Sequence, residues 1–211
     1  MNPDGVILGN YRTNFAGKDL NRQFKNTNKS LFPTVFAMKE LLQHTKNKYG
    51  ENLFAFFDLH GHSIKRNVFI YGPEFQANKK EYFLSRFIPK ILDQKTEMFR
   101  FFSSKFKISP GKMTTARAVC AYDFNITNSY TVEASFGNYM TRNKEVIPFD
   151  SQLFRKMVNL FFKSIDVTFL KLKKGSYIGE AICDYNYLIN DYETSKKKTE
   201  KRGFILFSCF F

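Results

Sequence analysis

Two of the three histidines in this 211-residue chain lie in one short run, Asp58-Leu59-His60-Gly61-His62-Ser63, directly behind the apolar segment Leu53-Phe54-Ala55-Phe56-Phe57. A buried strand that ends on such a run delivers it to the rim of a cleft. Residues two apart on an extended strand share a face and sit roughly 6.5 Å apart, so His60 and His62 could converge on one metal ion as neutral imidazoles. A hydrogen-bonded histidine pair in the turn after a strand fits the same spacing. The triplet alone does not choose between the two.

The flanks carry more. Upstream stand Asn2-Pro3-Asp4-Gly5-Val6, Gly9-Asn10-Tyr11-Arg12 and Gly17-Lys18-Asp19-Leu20-Asn21-Arg22, and downstream stands Asn128-Ser129-Tyr130-Thr131-Val132-Glu133-Ala134-Ser135-Phe136. In this order around the His-Gly-His segment, the blocks resemble the zinc metallocarboxypeptidase family of carboxypeptidase A type. Within it they look most like the cytosolic carboxypeptidases, the enzymes that trim glutamates from tubulin and other acidic tails. The resemblance runs from residue 1 to roughly residue 165.

What the resemblance implies can be set out residue by residue. In the family, zinc is held by a His-x-x-Glu pair and a later histidine, with water in the open position. Such a zinc lowers the pKa of its water from about 15.7 to about 7. His60 matches the later ligand, and His62 then lines the substrate pocket. Glu133 matches the glutamate that takes a proton from the water and returns it to the leaving amine. Arg12 matches the cation that faces the oxyanion. Asn21 and Arg22 match the pair that holds the terminal carboxylate, a task suited to a guanidinium fork. Arg117 looks like the pocket cation that suits a terminal glutamate, with Lys112 and Arg142 the next candidates. Without the motif, Glu133 reads as a strand-end salt bridge and each arginine as a surface charge.

The chain also departs from the pattern. Where the family tends to have Val-Trp-Arg, this sequence has Cys120-Ala121-Tyr122, with a one-residue length change. No tyrosine lies between Tyr82 and Tyr122, so the mobile tyrosine of the digestive enzymes has no counterpart. No His-x-x-Glu occurs anywhere, and His44 is followed by Thr45-Lys46-Asn47. The expectation is the C-terminal part of a catalytic domain, from a truncated gene model or a fragment begun at an internal methionine. Alone it should neither hold Zn2+ tightly nor hydrolyse peptides.

These residues need elements to position them. Residues 1–29, rich in Gly and Asn without periodicity, read as a long ordered loop. Apolar residues at helical spacing from Pro33 to Tyr49, closed by Gly50, predict a helix. Strands are predicted at Leu53 to Leu59, Asn67 to Tyr71, Met113 to Ala121 and Ser129 to Ser135. A helical stretch over 78–98 has a candidate break at Pro89. From Asp150, an N-cap residue, Leu153, Phe154, Met157, Val158, Leu160, Phe161 and Ile165 form one apolar helical stripe. Strands alternating with helices predict an α/β fold, and the resemblance makes it a carboxypeptidase-like mixed β-sheet flanked by helices, incomplete at the N-terminus. Residues 1–171 form that domain. Residues 172–211 read as a weakly structured tail, Lys-rich at Lys196-Lys197-Lys198 and apolar from Phe204.

Composition narrows the class. Hydrophobic residues make up 43%, with 26 Phe, ample for a core. There is neither a membrane-length apolar run nor a signal-peptide pattern, so a cytoplasmic location is expected. Cys120, Cys183 and Cys209 are too few and too scattered for a disulfide framework. A net charge of +14 and a pI near 9.6 favour a polyanionic partner, although Lys-rich codon usage would give the same excess. The partner expected is an acidic C-terminal protein tail, possibly that of tubulin. No zinc-finger, RNA-recognition or helix-turn-helix signature supports nucleic acid. A non-catalytic binder of acidic tails or microtubules is the alternative.

Overall fold

The computed structural model describes residues 1–173 and 204–209. Cys183, the run from Lys196 to Arg202 and most of the expected weakly structured tail lie outside the described residues. The N-terminal loop holds one short helix, α1 (Pro3–Ile7), and a single helical turn at Leu20–Arg22. Next come α2 (Pro33–Tyr49), β1 (Leu53–His62), β2 (Val68–Tyr71), α3 (Lys80–Lys95), α4 (Ala116–Tyr122) and β3 (Asn128–Ser135). A small hairpin, β4 (Asn138–Met140) with β5 (Val146–Pro148), leads to α5 (Ser151–Lys173), and β6 (Phe204–Cys209) follows.

The main sheet is mixed, in the order β2-β3-β1-β6, with β3 and β6 parallel to β1 and β2 antiparallel to β3. β1 explains the layering through its period of two. Phe56 points into a core with Leu42 of α2 and Val119 and Cys120 of α4. Ala55 and Phe57 point the other way, into a core with Ile88 and Leu92 of α3 and Met157, Phe161 and Ile165 of α5. Helices therefore cover both faces of the sheet, as an α/β architecture requires.

Local chemistry accounts for the element ends. Pro33 opens α2 at a position whose N–H has no helical partner, and Gly50 closes it at φ 54°. Asp150 caps α5, its Oδ1 accepting from Leu153 N at 2.7 Å. The candidate break at Pro89 does not occur: α3 runs straight through it. A proline there leaves the carbonyl four residues earlier without its helical donor. That carbonyl belongs to Ser85, and the buried Tyr130 hydroxyl of β3 donates to it at 2.9 Å.

The strand expected over Met113 to Ala121 is a helix, α4, preceded by a turn. Thr115 caps it by accepting from Ala118 N. Residues 116–121 are buried on every side, so the apolar run carries no periodicity to separate helix from strand. Among the described residues no helix is long and apolar enough to cross a membrane.

Phe57 is fully buried, with ring contacts to Tyr130 at 5.5 Å and Phe161 at 5.7 Å between centroids. Phe57→Ala should cost about 3–5 kcal/mol, read as a lower urea midpoint with an unchanged slope.

Candidate active site

The parallel register of β1 and β3 sets His60 beside Glu133 and Asp58 beside Thr131. β2 extends the second row by placing Tyr71 opposite Thr131. His60 and Glu133 sit towards the C-terminal ends of β1 and β3, where open α/β sheets bind ligands. Over this end lies a cavity of about 560 Å³. The sheet contributes His60, Tyr71, Thr131 and Glu133, the N-terminal loop Arg12, Asn21 and Arg22, the segment after α3 Lys105, Lys107 and Lys112, and α4 Arg117. Six cations thus share the cavity with one carboxylate, Glu133.

Asp58 holds this arrangement from beneath. It is wholly buried, and its Oδ2 accepts from Asn21 Nδ2 at 2.9 Å and meets His60 Nε2 at 2.8 Å. Its Oδ1 accepts from Ser208 Oγ of β6 at 2.9 Å. Asn21, itself buried, accepts at Oδ1 from Ala116 N, the first residue of α4, at 2.9 Å. Asp19 does similar work nearer the surface: Oδ1 caps the Leu20–Arg22 turn through Asn21 N, while Oδ2 pairs with Arg12 at 2.9 Å and lies 3.8 Å from Arg22. Arg22 Nη1 also donates to Asn21 O at 2.8 Å.

Charge and burial shape the titrating groups. Burial presses the His60 pKa down, but the Asp58 hydrogen bond and the charges of Asp58, Glu133 and Asp19 more than offset this, and the net shift is above 6.5. Burial lifts Glu133 above 4.5, helped by Asp58, and outweighs the pull of His60, Arg117 and Arg12. A raised carboxyl suits a group that both takes and returns a proton. Arg117 is brought down to about 10, chiefly by burial. Its Nε has no hydrogen-bond partner among the described residues, and its guanidinium lies 5.6 Å from the Tyr71 ring centre. Burial, and then the charges of Arg22, Arg12 and Arg117, lowers Lys112.

The cavity therefore gathers His60, Glu133, Arg12, Asn21, Arg22 and Arg117. His62 does not line it. The His62 Nδ1 accepts from Ile64 N at 3.1 Å and Lys65 N at 3.0 Å, so the ring closes the turn after β1, against Phe69. Asn21 borders the cavity, but its amide is largely engaged with Asp58 and Ala116. Of the next candidates for Arg117's role, Lys112 is in the cavity, while Arg142 lies elsewhere with its Nη2 donating to Asp93 O. Sequence reasoning passed over Asp58, Asp19, Lys105 and Lys107. Only Asp58 carried a signal: a lone carboxylate in an apolar strand, two residues before His60 and on its face.

Among the described residues no three His, Cys, Asp or Glu side chains gather to hold a metal ion. His60 offers one imidazole, and because Asp58 takes its Nε2, a metal would meet Nδ1. The donors present do not by themselves make a metal site.

No family model matches the chain. It is similar to cytosolic carboxypeptidase 2 of Mus musculus, 38% identical over 138 residues, which cover 65% of this chain and 16% of that protein. Cytosolic carboxypeptidase 3 of Bos taurus is 36% identical over 167 residues, covering 78% of this chain and 16% of that protein. The chain thus spans about one sixth of the length of these curated relatives. Among solved structures, a metallo-carboxypeptidase from Burkholderia cenocepacia superposes with a TM-score of 0.66 at 21% identity, over 81% of this chain and 43% of that one. A metallo-carboxypeptidase from Pseudomonas aeruginosa gives 0.63 at 22%, over 81% and 44%. These structures share the mixed-sheet fold.

The Glu133 shift has a sign that stability can read. A carboxyl whose folded pKa lies above its unfolded 4.5 favours the folded state while protonated and loses that advantage as pH rises through the folded value. Glu133→Gln cannot ionise. It should raise Tm at pH 8 and leave it unchanged at pH 4, checked by calorimetry at both.

Proposed function

Because this chain belongs to the metallocarboxypeptidase family and aligns with its cytosolic members, we propose that it forms the substrate-facing part of a zinc-dependent carboxypeptidase. The enzyme removes C-terminal residues, glutamates above all, from acidic protein tails such as those of tubulin, in the cytoplasm. The observation that carries this reading is the His60–Glu133 register pair, set in a cavity whose other charged lining groups are all cationic. The relatives' printed names support the activity, and the word cytosolic in them supports the location.

The roles follow from position. Glu133, with its raised pKa, takes a proton from the attacking water and hands it to the leaving amine. Arg12, steered by Asp19, stands at the cavity mouth to meet the oxyanion. Arg22 receives the terminal carboxylate and Arg117 the glutamate side chain. An incoming carboxylate finds Arg117 already desolvated with a donor unmatched, so the cost of burying that charge is met before binding. Zinc would be held by His60 together with two ligands that these residues do not supply, and would furnish a water acidic enough to react near neutral pH.

A second reading is a non-catalytic protein that binds acidic tails through the same cations, favoured by the lack of a metal cluster among the described residues. The two separate in a protein that joins this chain to a segment supplying His-x-x-Glu. There Glu133→Gln should abolish turnover and leave zinc content intact; a wild type that binds acidic peptides without shortening them would establish the binder instead.

Truncating one partner of a buried charge pair costs about 2–5 kcal/mol. In that assembled protein Arg22→Ala should lower kcat/KM by such an amount for peptides ending in Glu, Leu or Lys alike. Arg117→Ala should do so for Glu alone. If the preference for Glu survives Arg117→Ala, the pocket cation is another of the lining lysines, Lys105, Lys107 or Lys112.

A further inference from the structure

The three donors to Asp58 come from three separate parts of the chain: Asn21 from the N-terminal loop, His60 from its own strand and Ser208 from β6. A carboxylate with no exposure needs donors on both oxygens, and any three would satisfy it. What distinguishes these is where they lead. Asn21 passes the restraint in two directions. Its side-chain Oδ1 accepts from Ala116 N, which pins the start of α4 one residue before Arg117. Its main-chain carbonyl accepts from Arg22 Nη1, which orients that guanidinium. Ser129 of β3 completes the placement of α4 by donating to Arg117 O at 2.9 Å.

We propose that Asp58 is a positioning residue that sets the Arg22 and Arg117 guanidiniums at fixed places opposite Glu133, acting through Asn21. The carboxypeptidase reading supplies only what the guanidiniums bind; the network stands without it. Asp58 also fixes the imidazole of His60. With Nε2 donating to the carboxylate, the ring is held as the Nε2–H tautomer, and its orientation in the cavity follows from the same anion that sets the two arginines.

Substitutions separate positioning from plain packing. Asn at position 58 can still accept from Asn21 and His60 through one oxygen and donate its amide to Ser208 Oγ, so it preserves the geometry without the charge. Ala cannot. In the 15N-labelled chain, Asp58→Ala should shift the Nε–Hε resonances of both Arg22 and Arg117 and disturb the His60 tautomer, whereas Asp58→Asn should leave the arginine resonances in place. Binding of a fluorescent peptide ending in Glu-Glu with a free carboxylate should fall about tenfold in Asp58→Ala, the order seen when the supporting partner of a site residue is removed, and largely persist in Asp58→Asn. A folded Asp58→Ala with unmoved arginine resonances and wild-type affinity would overturn the proposal. Should Asp58→Ala not fold, Asn21→Ala removes the relay while keeping the anion, and wild-type affinity in that variant overturns it equally. The same peptide with an amidated C-terminus tests the carboxypeptidase reading separately. If the wild type binds both forms equally, that reading fails, while the arginine resonances still decide the role of Asp58.

Discussion

The whole site rests on one carboxylate placed where a carboxylate is expensive. Asp58 stands in the apolar middle of β1, without exposure, and an ion there persists only if donors surround it. Satisfying it draws a loop from the N-terminus, a strand from the far end of the chain and the neighbouring histidine to one point. Long-range order follows from that demand. Phe24 and Leu20, on the loop that Asp58 anchors, are themselves buried in the core under α2 and α4, so the polar tether and the apolar packing support each other.

Above that anion the balance reverses. Six cations border a cavity with a single carboxylate among its lining groups, and like charges so close in a partly desolvated space repel. Burial lowers the proton affinity of Lys112 and Arg117, with the charges of Arg22, Arg12 and Arg117 adding to it at Lys112, and Asp19 and Asp58, from outside the cavity, offset only part of that loss. The lining groups of the cavity thus carry an excess of positive charge. An anion entering it offsets that excess, and one with two carboxylates offsets more of it than one with a single carboxylate.

The sequence disclosed those parts of the fold in which local pattern and final environment agree. Pro33, Gly50 and Asp150 marked helix ends that the structure keeps, and the start of β1 is plain as a continuous apolar run because both of its faces are buried. α4 was misread because burial on every side erases periodicity, and Pro89 because the Tyr130 hydroxyl that rescues its helix is forty-one positions away along the chain. Within the site, His60, Glu133, Arg12, Arg22 and Arg117 were legible from motif blocks, and the structure brings them to one cavity. Lys105 and Lys107 were not, since an isolated bridge between Tyr71 and Lys105 carries them there. His62 shares its strand with His60, yet the turn claims its ring.

The second half of β1 carries two kinds of requirement on neighbouring residues. His60 lines the charged cavity and Asp58, on the same face of the strand, supports it from beneath; Phe57 and Leu59 border an apolar cavity of about 570 Å³. A substitution at Phe57 or Leu59 alters volume and packing against α5, and one at Asp58 or His60 alters charge and hydrogen bonding. The two sets are therefore free to change at different rates and for different reasons, which lets a descendant of this sequence retune what it binds without rebuilding what holds it together.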